Sequence, residues 1–368
     1  MATDNLDNLI KASVKPGPFF KTKVKCPVCG AENEQVTLKT HLFTERDLDI
    51  DLRPQTIIWL SKDVRKIFPR MYYMWHCTKC YFTASHLYYK NPVEKCTLTL
   101  SKFKTRLISL CWSDPEIMAV AKMFSMNIDF DNLDFFQAIK LHLLAVFELQ
   151  LIHEIASKDA MNLGRYCLRL AWLYRDITER PDIKKVVDKK LRLIIAAAKK
   201  KWPDIPGNEE DALKMAVRYY RVTHEQSYMV SLDVDEIMLF ILIARIYLKL
   251  DQLNSARKTL LDAKEKAIKF EEKRLQEENS KLPDTGKLAQ LSTDSRKIEI
   301  AINEVQNIVD DILQEKEKRE LKNAKTLLLQ LKDKKISEIR KILLEKEFSI
   351  NVIDMVAPEK KGFLGIFK

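Results

Sequence analysis

The sequence predicts a mainly α-helical protein, with a small β-containing head near its N-terminal end and an array of paired helices behind it. Three observations predict this. Two C-x-x-C knuckles, Cys26-Pro27-Val28-Cys29 and Cys77-Thr78-Lys79-Cys80, lie about fifty residues apart near the start of the chain. From residue 113 onward, apolar residues recur at three- and four-residue steps, the period of a helix with one buried face. Only seven glycines occur in 368 residues, a supply that excludes most turn-rich β folds and glycine-loop nucleotide sites.

Composition narrows the classes further. With 46% apolar and 31% charged residues the chain is globular, and it is long enough for two or more cores. Seven cysteines without a recognisable secretory leader argue for a reducing, cytoplasmic setting rather than a disulfide framework. Apolar runs such as Ile237 to Ile246 stop well short of the ~20 residues a membrane span requires, so no transmembrane segment is expected. The net charge of +11 is uneven: residues 1–110 hold 18 Lys+Arg against 10 Asp+Glu, a net +8, and the remainder holds +3. A basic head suits nucleic acid, an anionic membrane surface or an acidic protein, and it also serves solubility alone.

Residues 1–18 read as a flexible lead ending in Lys15-Pro16-Gly17-Pro18, and 19–110 as the cysteine-bearing domain. Phe19 to Lys25 carries the chain into the first knuckle. Glu34 to Phe43 alternates in polarity around Val36 and Leu38, a strand signature. Asp47, Asp49 and Asp51 then alternate; a hard cation could use them, but the glycine and glutamate of a calcium loop are missing, so a solvated strand face or loop is expected. Thr56 to Phe68 reads as a short helix and Met71 to His76 as the strand entering the second knuckle.

The two knuckles read as one tetrahedral site in a zinc-ribbon-like domain. Thiolates are soft ligands, Zn²⁺ takes four of them at ~2.3 Å, and a two-residue spacer aims two sulfurs at one ion. Cys26, Cys29, Cys77 and Cys80 would therefore hold Zn²⁺, with Pro27 and Gly30 shaping the first turn. His76 and His86 lie close enough in sequence to substitute or to support a ligand. Four cysteines close the site, which makes the metal a structural clamp.

The order of CPVCG, the Asp-rich DLDID stretch, the aromatic lead-in PRMYYMWHCTKCYFTA and the helices behind it resembles the bacterial family catalogued as domain of unknown function 2225. The resemblance covers about residues 20–90, and more weakly continues through Trp172. It implies a zinc-ribbon-like head and a tetratricopeptide-repeat-like (TPR-like) body, and it carries no activity. Tyr81 departs from it by replacing the usual glycine, and the segment before the second knuckle is lengthened.

Ser113-Asp-Pro-Glu116 reads as a capping box with proline early in the helix. Further helices are predicted at about 132–157, 160–179, 182–201, 208–229 and 233–250, broken at Arg180-Pro181 and at Trp202 to Gly207. Ala244, Tyr247, Ala256, Leu260 and Ala263 follow the small/large register of one tetratricopeptide repeat, in which alanines permit close helix approach. The segment 111–264 is thus expected to be a degenerate TPR-like helical-repeat array. Residues 265–350 read as long charged helices that close the array or form a coiled-coil arm, with a break at Leu282 to Gly286. The tail 351–368 ends in GFLGIFK, a frayed end or a peptide for docking or peripheral membrane contact.

The common enzyme signatures are missing: there is no Walker loop, Rossmann fingerprint, G-x-S-x-G elbow or H-E-x-x-H helix. Of the other thiols, Cys96 is a candidate only if exposed near positive charge, whereas Cys111 and Cys167 read as core. A non-enzymatic scaffold binding a protein partner is the leading expectation. Met238, Ile241, Arg245, Leu248 and Lys249 share one side of a helix, and by resemblance to tetratricopeptide repeats that side faces a groove suited to an acidic or carboxylate-ended peptide. The alternative is nucleic-acid binding by the head. There Lys21, Lys23, Lys25, Lys39, Lys62, Arg65, Lys66, Arg70 and Lys79 would neutralise phosphates, and Tyr72, Tyr73 or Tyr81 would stack on bases.

Overall fold

Two hairpins of similar build frame the head. In the computed structural model, which describes residues 17–62, 67–92, 100–109, 113–156, 160–225, 233–280, 284–331 and 334–358, β1 (Phe19–Lys25) pairs antiparallel with β2 (Glu32–Leu38), and the first knuckle is their turn. β5 (Met74–His76) and β6 (Thr83–Ser85) pair in the same way around the second knuckle. Side chains, not a backbone ladder, join the two hairpins: the Gln35 amide donates to His76 O at 2.7 Å and accepts from His76 N at 3.2 Å, and Trp75 Nε1 donates to Val36 O at 2.8 Å.

Between them lies a third hairpin, β3 (Phe43–Leu48) with β4 (Pro54–Trp59). The sequence suggested a helix from Thr56. A strand forms instead because β-branched and aromatic residues suit the pleat, and Trp59 stands opposite Phe43 with ring centroids 5.4 Å apart. Left-handed Asp47 and Leu52, at φ 54° and 66°, shape its end. The expected strand from Met71 begins only at Met74, because Pro69–Tyr72 forms a 3-10 turn.

The helices follow as α1 (His86–Lys90), α2 (Leu100–Leu107), α3 (Pro115–Ser125), α4 (Phe135–Ala156), α5 (Ala160–Thr178), α6 (Pro181–Ala198), α7 (Glu209–Glu225) and α8 (Asp233–Lys249). α3 is capped by Asp114, whose carboxylate accepts from the N–H groups of Glu116 and Ile117. Ser113, expected in that role, bonds back to Ser109 O. The apolar stretch Phe135–Ile152 of α4 is long and apolar enough to cross a membrane, yet 83% of it is buried inside the protein, as befits a central core helix. α5 packs most closely on α7, where Gly164 leaves room for a ring: a Cβ there would stand 2.5 Å from Tyr220. A single apolar core runs from Cys26 and Trp75 through α4 and α5 to Ile246, so the expected domain boundary at 110 does not interrupt it.

The chain divides into two compact units at Ala256/Arg257, within α9 (Leu253–Glu278). In the TPR register, Ala244, Ala256, Leu260 and Ala263 are all buried. In the second unit α10 (Thr285–Gln330) is capped by Asp284 and linked to the later turns of α9 by Lys264–Gln306 at 2.7 Å and Ser295–Glu271 at 2.6 Å. The helical stretch expected to about 348 is interrupted after Gln330. α11 (Ile336–Glu345) and α12 (Ile350–Val356) fold back to bury Ala324, Leu343, Val352 and Ile353, so part of the expected tail is a packed helix. GFLGIFK lies outside the described residues.

Candidate metal centre

Each knuckle reverses the chain in the same way. Gly30 N donates to Cys26 O at 2.9 Å and Cys26 N to Ala31 O at 2.8 Å; Tyr81 N donates to Cys77 O at 2.8 Å and Cys77 N to Phe82 O at 2.9 Å. Both residues after the second cysteine are left-handed, Gly30 at φ 75° and Tyr81 at φ 67°. Glycine occupies that region without penalty, whereas a side chain is crowded there. Thr83 Oγ1 donates to Tyr81 O at 2.7 Å, and the Tyr81 ring stacks on His76 at 6.5 Å, which hold the turn without glycine.

The two turns bring the four Sγ atoms of Cys26, Cys29, Cys77 and Cys80 within 4.8 Å of one another. Cys26 and Cys80 are 3.6 Å apart, as are Cys29 and Cys77. These spacings are far beyond a disulfide, and they fit the ~3.8 Å edge of a tetrahedron whose centre lies ~2.3 Å from each sulfur. The donor set therefore fits a metal ion. Cys26, Cys77 and Cys80 are buried. Mutual hydrogen bonding splits their acidities: Cys26 and Cys80 hold the Cys77 thiol far below the ordinary range, the contact with Cys77 and burial push Cys26 up to about 11, and contacts with Cys26 and Cys77 push Cys80 higher still.

Asn33, not singled out by its sequence context, ties the knuckles together. Its Nδ2 donates to Cys77 Sγ at 3.4 Å and to Ala31 O at 3.0 Å, and its Oδ1 accepts from Thr78 N and Thr78 Oγ1, both at 3.1 Å. His76 does not join the sulfurs: its Nδ1 is 2.8 Å from Thr83 Oγ1, and burial lowers its pKa to about 4. His86 lies on a separate cleft wall. The second hairpin is anchored to α4 through Thr83 N, which donates at 2.8 Å to the wholly buried Glu148, whose burial keeps its carboxyl protonated well above the usual range.

The other expected sites are placed differently. Asp49 and Asp51, expected on a solvated face, cap the third hairpin and enter a buried charge network with α5. Arg70, expected on phosphate, is buried: its Nε and Nη2 donate to Asp176 at 3.0 and 2.9 Å and its Nη1 to Pro54 O at 2.8 Å. Arg53 donates to the same Asp176 at 2.8 Å. On α8 the proposed groove face is covered by the protein's own hairpin end. Ile241, Arg245 and Leu248 are buried, Arg245 Nη1 donates to Ile50 O at 3.4 Å, and Lys249 Nζ meets Asp49 at 3.2 Å, leaving Met238 exposed. No local pattern announces the partners that Arg53, Arg70 and Arg175 find on or from α5, which lie more than a hundred positions away in sequence.

Of the remaining head cations, Lys21 bridges Glu34 and Asp131, Lys23 pairs with Glu32, and Lys39 lies 4.5 Å over the Phe20 ring. Lys25, Lys62 and Lys79 are exposed. Tyr72 is buried, and Tyr73 and Tyr81 are half-buried. Arg65, Lys66, Cys96 and Cys111 lie outside the described residues; Cys167 is fully buried, and burial pushes its thiol well above the ordinary range.

The family model described as an uncharacterized protein conserved in bacteria, DUF2225, matches residues 19–285. Comparison with curated proteins finds no match, and comparison with solved structures finds none.

Proposed function

The chain belongs to the DUF2225 family of uncharacterized bacterial proteins, and on that premise we propose that it is a zinc-clamped, non-enzymatic helical scaffold that binds an acidic protein segment. Four sulfurs at tetrahedral spacing favour Zn²⁺ over harder cations, and four protein ligands leave no coordination position for a substrate. The ion would fasten the two head hairpins together. A reducing, cytoplasmic setting would keep the thiols available for it.

The observation that carries the partner reading is α6. Its buried stripe is Val187, Leu191 and Ala198. The opposite face presents Val186 and Leu193, 55% and 68% exposed, among the exposed Lys185, Lys189, Lys190 and Arg192. Cations around two apolar side chains complement an acidic amphipathic segment, for which the apolar pair supplies burial and the cations orientation. A nucleic-acid backbone has no use for the exposed leucine, and two aliphatic side chains are a narrow apolar face for a membrane.

A photo-crosslinking residue placed at Leu193 in the full-length protein should trap a protein partner in cells, and a Lys185→Glu, Lys189→Glu double variant should abolish the crosslink while retaining its circular dichroism. Retardation of RNA or DNA at low salt by the purified protein, lost in the same variant and without a protein crosslink, would overturn the reading in favour of nucleic acid. Sedimentation with anionic vesicles would do so in favour of a membrane.

A further inference from the structure

A cleft of about 370 Å³ opens between the end of β2, the start of β3, the 3-10 turn before β5, and α5. Its size is that of a small-molecule site, and it lies apart from the sulfur cluster and from α6. The walls are fixed. Trp75 is bound to Val36 O, and Arg70 at its base is bound to Asp176 and Pro54 O.

Arg169 of α5 supplies the chemistry. Its guanidinium carbon lies over the Tyr73 ring, 3.7 Å from the centroid, and 5.7 Å from that of Trp172. It makes no ion pair among the described residues, whereas Arg70, the other arginine lining the cleft, is matched to Asp176. A guanidinium stacked on an aromatic ring is held in one orientation with the N–H edge of its fork unspent, the arrangement that grips a carboxylate or phosphate through two parallel bonds. On the same wall His86 makes no hydrogen bond among the described residues, and burial, with the charges of Lys90 and Arg169, lowers its pKa. The one carboxylate on the wall, Glu45, is engaged with Arg70 at 3.7 Å. Tyr72, Tyr73 and Trp75 line the wall beside the cation.

We propose that this cleft binds a small organic anion, a carboxylate or phosphate carried on a flat apolar body, with Arg169 as the group that grips the anion. The body lies along the aromatic wall and the hydroxyls of Thr37 and Thr40 are available to its polar edge. A neutral ligand of the same shape forgoes the charge-assisted bonds and binds more weakly.

The experiment titrates the full-length, metal-loaded protein with phenyl phosphate, benzoate and benzyl alcohol by calorimetry and saturation-transfer NMR. At least one anion should bind, and benzyl alcohol should bind at least about tenfold more weakly, the factor expected for loss of one charge-assisted bond. The stronger of the two anions tells phosphate from carboxylate. Arg169→Gln should weaken that anion by about tenfold or more with an unchanged near-ultraviolet circular dichroism spectrum. If Arg169→Gln does not fold, Thr40→Tyr, at an exposed position on the mouth, should block binding instead. Absence of binding by both anions, equal binding of benzyl alcohol, or full affinity in the variant that folds would overturn the proposal.

Discussion

Arg175 grips both carboxylate oxygens of Asp51, through Nη1 at 2.9 Å and Nη2 at 2.7 Å, and the pair joins the end of the third hairpin to α5 across 124 residues of sequence. Trp172 Nε1 donates to the same carboxylate at 3.1 Å. Arg175 also reaches Asp49 and, through Nε, Glu209 of α7, both at 2.7 Å. Burial alone would lower the Arg175 pKa, but these carboxylates, Asp51 first, raise it above its usual value. One guanidinium thereby fastens the hairpin and two helices of the array. Asp51→Ala should destabilise the protein by about 3 kcal/mol or more, since it leaves a buried cation short of its partner. Denaturant titration of Asp51→Ala, Arg175→Met and the double variant should give a strong coupling energy that changes little between low and high salt, because the pair is screened from solvent. Additive single-variant effects would contradict the clamp.

The metal reading makes a quantitative prediction. Protein purified without chelator should contain close to one equivalent of zinc by elemental analysis, and Cys77→Ser should lose most of it. Chelation should lower the unfolding temperature of the first unit, because the ion would join two hairpins that share no backbone ladder. Unchanged stability on chelation would mean that the cluster carries no clamp.

Tyr81 predicts an unusual mutational order. A left-handed residue with a Cβ costs roughly 1 kcal/mol relative to glycine, and a β-branched one costs more. Tyr81→Gly should therefore be close to neutral, relief of the backbone offsetting loss of the stack on His76, whereas Tyr81→Val should be clearly destabilising. Thermal unfolding of the two zinc-loaded variants checks the order.

His142 predicts a pH dependence. It is wholly buried on α4, its Nδ1 2.8 Å from Ala138 O and its Nε2 without a hydrogen-bond partner, and burial lowers its pKa from 6.5 to about 4. The unfolded chain binds this proton first as pH falls, so the neutral imidazole is accommodated fully above pH 6.5 and stability declines from there towards pH 4. The decline attributable to this group is on the order of 3 kcal/mol. Comparing wild type with His142→Phe by denaturant titration at several pH values isolates it from the protonation of the thiols: the difference between the two should change steadily across this window. A constant difference would show that His142 does not titrate on unfolding.

Much of the molecule was legible in the sequence because its causes are local. The breaks at Arg180-Pro181 and Trp202 to Gly207 mark helix ends through backbone geometry: in the structure the first opens α6 and the second separates α6 from α7. Cys26, Cys29, Cys77 and Cys80 announced a shared site because two-residue spacing in a tight turn leaves thiolates few other arrangements. Tertiary structure decided what depends on partners distant in sequence. Asp49 and Asp51 read as part of a solvated face until Arg175 arrives from α5 to neutralise them, while Asp47 stays exposed, and Arg70 reads as a phosphate ligand until Asp176 claims it. The α8 face resembled an open groove for the same reason: periodicity identifies a face, but whether solvent, a partner or the chain's own hairpin covers it is set by long-range packing. A side chain's charge is written in the sequence, and the environment that determines what the charge does is assembled only when the chain folds.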